Sequence, residues 1–207
     1  MVRRARKVSV AGRDGSAYRE GFVPDRPINE YENAPVVCRP YDPRSSEVAE
    51  RVGEMIRHQA PGLSVEHVGS TAVPGCAGKG VVDLMIPYRE GQFETARLAL
   101  QDLGFQRQSI RDPFSEDRPM RVGSIEHERD NFRLHVHVIP SYSEEVKEFR
   151  AFRDWLRSDP ALVENYVERK RRIIESGTTD SVDYAEAKGS FIVEALRDSG
   201  ESGYRRG

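Results

Sequence analysis

The run VVDLMI, residues 81–86, puts an acid inside the most apolar strand of the chain. Asp83 alternates with Val81 and Met85 on one side of that strand. An ionised carboxylate there is costly unless it is paired, hydrogen-bonded or bound to a cation. Two readings follow. Asp83 accepts backbone hydrogen bonds or pairs with an arginine, or it is a hard-metal ligand, since Mg²⁺ takes few protein carboxylates and leaves positions for phosphate and water. The preceding segment, HVGSTAVPGCAGKG, bears on the choice. A Gly69-Ser70 turn leaving a strand brings backbone N–H groups together and adds a hydroxyl, which suits a phosphate. Thr71 continues the turn. Lys79 either adds a point charge for a triphosphate or is a solvated loop lysine. No GxxxxGK[ST] is present, so this is not a P-loop.

A second strand alternates strictly. In FRLHVHVI, Phe132, Leu134, Val136 and Val138 face one way, and Arg133, His135, His137 and Ile139 face the other. His135 and His137 thus project from one sheet face. That spacing suits a metal pair, or one phosphate contact plus one acid/base group, or simply two polar residues on a half-exposed face. If this strand lies beside residues 81–86, both imidazoles converge on Asp83. His67 reads as an orienting hydrogen-bonder. His58 and His127 sit in polar surroundings and read as solvent-exposed.

The helical signals complete an α+β layout. Val48, Val52, Met55 and Ile56 share a face in residues 45–59, and Pro61-Gly62 stops that helix. Phe93, Ala96, Leu100 and Leu103 form another stripe, with Gly104 at the C-cap. Residues 63–68 read as a strand, and 105–125 as polar with weak strand signals. Ser141 and Glu144 have capping-box spacing ahead of a helix with Val146, Phe149, Phe152 and Leu156 inward. Asp159-Pro160 reads as N-cap and first residue of the next helix, with Leu162, Tyr166 and Ile173 inward. A last helix spans about 181–197, with Tyr184, Phe191, Ile192 and Leu196 apolar. The expected organisation is a flexible basic arm over 1–34, one domain over 35–200 and a tail over 201–207.

Composition excludes more than it assigns. The net charge of -2 gives no global case for binding nucleic acid or an anionic membrane. No run approaches a membrane span. The first ten residues are basic but lack an apolar h-region, so they do not read as a secretory signal. Two cysteines, Cys38 and Cys76, imply a reducing, cytoplasmic setting without a disulfide framework. The expected partner is a small-molecule nucleotide; oligomeric state is not legible.

Gly69-Ser70, twelve residues, then Asp83 in an apolar strand resembles the nucleotidyltransferase signature hG[GS]…Dh[DE]h. With HVHV, FRDWLRSDPALVENYVERK and YAEAK added, residues 36–196 resemble the GrpB-like family. The resemblance implies a nucleotidyltransferase-like mixed β-sheet packed by helices, with a helical C-terminal third. It implies phosphates held at Gly69, Ser70 and Thr71, and Mg²⁺ or Mn²⁺ on Asp83, aided by His135 or His137. Lys79, Arg153 and Lys188 are expected to help hold a nucleoside triphosphate. One departure matters: the second acid of the signature falls at position 85, which is Met85.

Three functions compete. The first is nucleotidyl transfer from a triphosphate to an unknown acceptor, by positioning and charge neutralisation. The second is a catalytically silent nucleotide- or CoA-type binding module, which Met85 favours. The third is a metal-dependent hydrolase using Asp83, His135 and His137 as ligands of a transition metal, although their spacing is no standard zinc motif.

Overall fold

The computed structural model describes residues 26–110 and 113–178, with positions 183, 184, 187 and 189. The first 25 residues of the expected arm, the expected tail, and Lys188, Phe191, Ile192 and Leu196 lie outside the described residues. Period-two patterning becomes β1 (Glu66–Val68), β2 (Val81–Tyr88), β3 (Gln106–Arg107), β4 (Met120–His127) and β5 (Asp130–Pro140). They form one mixed sheet in the order β1-β2-β5-β4-β3. Only the β2–β5 pair is parallel.

Period-3.6 patterning becomes α1 (Arg44–Gln59), α2 (Phe93–Leu103), α3 (Glu144–Ser158) and α4 (Pro160–Glu175). Gly104 ends α2 in the left-handed region, φ 107°, where glycine carries no Cβ penalty. Asp159 caps α4 by accepting from the Ala161 N–H at 2.8 Å. The cap of α3 is Ser143, which accepts from the Glu145 N–H, rather than the expected Ser141.

Alternation divides the sheet into two faces. Val82, Leu84, Ile86, Leu134, Val136 and Val138 are buried against Val48, Val52 and Ile56 of α1 and Leu100 of α2. On the other face, Val68, Met85 and Ile139 pack beneath Val146 of α3. The helical third has its own small core: Phe152 and Leu156 of α3 and Val163, Tyr166 and Val167 of α4 close over Val73, Cys76 and Ala77. The loop after Gly69-Ser70 is therefore held by packing from both C-terminal helices.

Two expectations need correction. Residues 26–34 are not a loose arm throughout. Ile28 is buried and donates its N–H to the Leu103 carbonyl, and Asn29 exchanges backbone hydrogen bonds with Ser124 at 2.8 and 3.0 Å. The weak signals of 105–125 conceal a full strand, β4, whose buried Arg121 pairs with Glu116 and whose buried Ser124 donates to the Glu30 carbonyl.

Candidate functional site

The parallel register sets Asp83 opposite His135 and Met85 opposite His137. Asp83 Oδ1 lies 3.3 Å from His135 Nδ1 and 3.9 Å from His137 Nε2. Burial pushes the Asp83 carboxyl upward, but hydrogen bonds from the two imidazoles outweigh it and hold the group well below the usual carboxylate range. Asp83 is therefore an anion whose charge is partly met within the sheet. His137 is 7% exposed, and burial drives its pKa down despite Asp83. Phe149 lies beside it, ring centroids 5.0 Å apart.

Gly69 brings the turn against this acid. Its φ of 72° and ψ of -167° suit glycine almost alone, and a Cβ there would stand 2.6 Å from Asp83 Oδ2. Ser70 then opens a short 3₁₀ turn, Ser70–Ala72. Arg157 of α3 donates twice to the Ala72 carbonyl, at 3.0 and 2.6 Å, and ties the turn to the helices. From below comes Lys170 of α4, 1% exposed, with Nζ 3.4 Å from Ser70 Oγ and 3.3 Å from Cys76 Sγ and a further bond to the Ala77 carbonyl. An ammonium has donors only, so Ser70 Oγ accepts and its own proton is not used in this contact.

Thr71 is placed differently. Its hydroxyl donates to the Val81 carbonyl at 3.2 Å and meets His67 Nε2 at 3.0 Å. Since the threonine proton is spent on Val81, His67 Nε2 is the donor. Burial pushes His67 down to about 4 against the pull of Asp83, so the ring is neutral near pH 7. Thr71 and His67 brace the turn, and the Thr71 hydroxyl is committed inside the fold rather than offered to a phosphate.

These groups open on a cavity of about 970 Å³ lined by Gly69, Ser70, Lys79, Asp83, His135 and His137. Arg39 and Tyr41 of the preceding segment and Phe114, Phe149 and Tyr184 also line it, as do the acids Asp42, Asp130 and Glu145. Lys79 Nζ lies 5.2 Å from the Tyr184 ring centroid. Arg153 does not join the wall. It pairs with Asp154 at 2.7 Å and reaches the His67 carbonyl at 3.3 Å, so it fixes β1 to α3. His127, expected in solvent, is half-buried against Glu47 at 3.3 Å.

Sequence reasoning missed Lys170 and Tyr31. A lysine in the charged run ERKRR reads as solvated, and only the neighbouring Tyr166 and Val167 hint that this turn of α4 faces inward. Tyr31 precedes any periodic pattern. Its hydroxyl lies 3.1 Å from His135 Nε2.

The donor set does not fit a metal clamp. Both ring nitrogens of His135 are engaged, Nδ1 by Asp83 and Nε2 by Tyr31. The position of a second acid is Met85, fully buried. Among the described residues, no group of three His, Cys, Asp or Glu side chains is arranged to hold a metal ion. The expected metal set of Asp83, His135 and His137 is thus an acid with two imidazole partners, and it leaves a hard cation one protein carboxylate.

Comparison with known proteins bears on the fold and the family. The structure of the conserved protein GrpB from Enterococcus faecalis superposes with a TM-score of 0.59 at 20% identity, covering 79% of this chain and 99% of that one. The GLD-2/RNP-8 complex gives 0.51 at 10% identity, covering 76% of this chain and 61% of that one. The fold is nucleotidyltransferase-like, a mixed sheet packed by helices. A UPF0157 protein of Halalkalibacterium halodurans is 30% identical over 169 residues, covering 80% of this chain and 83% of the relative. One from Streptomyces coelicolor is 36% identical over 135 residues, covering 63% and 66%. The family model described as GrpB protein matches residues 35–198, and the chain belongs to the GrpB family.

Proposed function

We propose that this protein binds a nucleoside triphosphate, or a CoA-type cofactor with the same diphosphate chemistry, in the cavity beside Asp83. The phosphates lie on the Gly69-Ser70 turn. Ser70 donates to a phosphate oxygen, and Lys170 supplies positive charge from beneath. Lys79 and Arg39 stand at the wall for the remaining oxygens. The observation that carries this reading is the contact of Lys170 Nζ with Ser70 Oγ at the wall of a roomy cavity, which leaves the serine proton available to a phosphate oxygen.

His135 and His137 meet the charge of Asp83, so the acid repels a polyanion less than a bare carboxylate would. Any magnesium present arrives on the phosphates rather than on a carboxylate clamp of the protein. Nucleotidyl transfer to a hydroxyl or amine, the first expectation from the sequence, becomes the second reading, favoured by an ionised acid on β2 beside the Gly69-Ser70 turn. The hydrolase reading loses its support with both His135 nitrogens engaged.

Calorimetry with ATP, GTP, CTP, UTP and coenzyme A tests the proposal. At least one should bind, and Ser70→Ala should weaken it about tenfold, the effect of one hydrogen bond to a charged group. No binding by any of the five would overturn it. Pyrophosphate release during long incubation would decide for transfer over silent binding.

A further inference from the structure

The segment ahead of α1 enters the site through one side chain. Ile28 sits so close to Gly104 and Gly123 that a Cβ on either would stand 2.5 Å from the Ile28 carbonyl or 2.3 Å from its Cγ2. Two glycines from separate elements thus leave room for one strap. The strap continues to Tyr31, whose N–H donates to Gln106 Oε1 at 3.1 Å. The Tyr31 ring lies on His135 with centroids 5.4 Å apart.

The hydrogen-bond order follows from donor chemistry. Asp83 is an acceptor only, so His135 Nδ1, 3.3 Å away, carries the proton. The Nδ1–H tautomer leaves Nε2 bare, and in that tautomer the Tyr31 hydroxyl, 3.1 Å away, is the donor. Burial raises the Tyr31 pKa, with Arg133 opposing and Asp83 adding, so the phenol keeps the proton it donates. Acid and hydroxyl thus engage the two nitrogens of one imidazole, and a partner on one ring nitrogen is what orients a catalytic imidazole in other folds.

We infer that Tyr31 is a positioning residue: its hydroxyl holds His135 in the Nδ1–H tautomer and so keeps a hydrogen bond on Asp83 beside the phosphate turn. The strap is then part of the site. Its consequence for ligands rests on the nucleotide reading, but the tautomer does not.

Imidazole ¹⁵N spectra of the ligand-free protein test it, with His135→Gln used to assign the resonance. The wild type should show a protonated Nδ1 and a bare Nε2. Tyr31→Phe, which keeps the ring, should shift His135 toward the Nε2–H form. Gln106→Ala, which loosens the strap, should shift it less. A wild-type His135 protonated at Nε2, or spectra unchanged in Tyr31→Phe, would overturn the inference. The tightest binder among ATP, GTP, CTP, UTP and coenzyme A then serves as the probe of consequence. Tyr31→Phe should bind it about fivefold more weakly, as expected when one charged hydrogen bond is partly lost. An unchanged affinity with a shifted tautomer would sever Tyr31 from the site. No binding of ATP, GTP, CTP, UTP or coenzyme A by the wild type, with the tautomer as expected, would leave the inference standing and remove the nucleotide reading.

Discussion

The two faces of strands β2 and β5 are built from alternate residues of the same few segments, yet they do different work. One face carries Val82, Leu84, Leu134 and Val136, all buried beneath α1 and α2. The other carries Asp83, His135 and His137, which meet one another at the edge of a cavity. The apolar face needs only to exclude water. The polar face must satisfy the groups it hides, and for Asp83 and His135 it draws on distant segments, Tyr31 and the glycine that lets Asp83 approach, while the buried His137 Nδ1 has no hydrogen-bond partner among the described residues. Stability and chemistry are therefore largely divided by residue parity, with Met85 and Ile139 the apolar residues that share the polar face.

The largest break in that comparison comes from the apolar face. Leu134→Ala should cost about 4 kcal/mol in urea unfolding, by lost burial and a cavity. Where the variant remains folded, its phosphate ligand should bind as before. If ligand binding falls as steeply as stability, the faces are not separable.

On the polar face, Gly69→Ala should cost about 3 kcal/mol, because its backbone angles suit glycine almost alone and a Cβ would press on Asp83. Unlike the leucine variant, it should also lose ligand binding while still folded. Retained binding would detach Gly69 from the site.

The smallest effect separates the faces by pH. His67 is held down to about 4 when folded, whereas an unfolded histidine titrates near about 6.5. Its neutral state is favoured by folding, so its contribution is full above pH 6.5 or so and drains away as pH falls toward 4. Allowing for partial exposure, roughly 2 kcal/mol should be lost across that window. Depressed His137 and Asp83 act in the same direction on acidification. His67→Gln should flatten the upper part of the profile; an unchanged profile would mean the ring is not held neutral.

Much of this was legible in the sequence because alternation is a local property. The strict pattern of residues 132–139 assigned both faces of β5, and Asp83 stood out as an acid in an apolar strand. The Gly69-Ser70 turn was legible from local chemistry, and the structure has Gly69 at positive φ ahead of a 3₁₀ turn there. What stayed hidden depends on contacts far apart in the chain. Strand β4 contains buried Arg121 and Ser124, which look exposed until Glu116 and the Glu30 carbonyl are brought to them. Arg153 reads as a cleft residue only while Glu66 and the His67 carbonyl are out of view. Lys170 and Tyr31 enter the site from opposite ends of the sequence, and no spacing rule connects them to residues 69–83.

The central claim is that imidazoles and a buried lysine, not a protein-bound metal clamp, prepare this site for a polyphosphate. Calorimetry of the tightest-binding nucleotide, with magnesium and then with EDTA, on wild type and Asp83→Asn, tests it most directly. Affinity should hold within about threefold in EDTA, and Asp83→Asn should bind as tightly or more tightly, since removing an anion beside phosphates lowers repulsion. Binding that vanishes in EDTA, or that fails in Asp83→Asn, would contradict it and return Asp83 to the role of metal ligand.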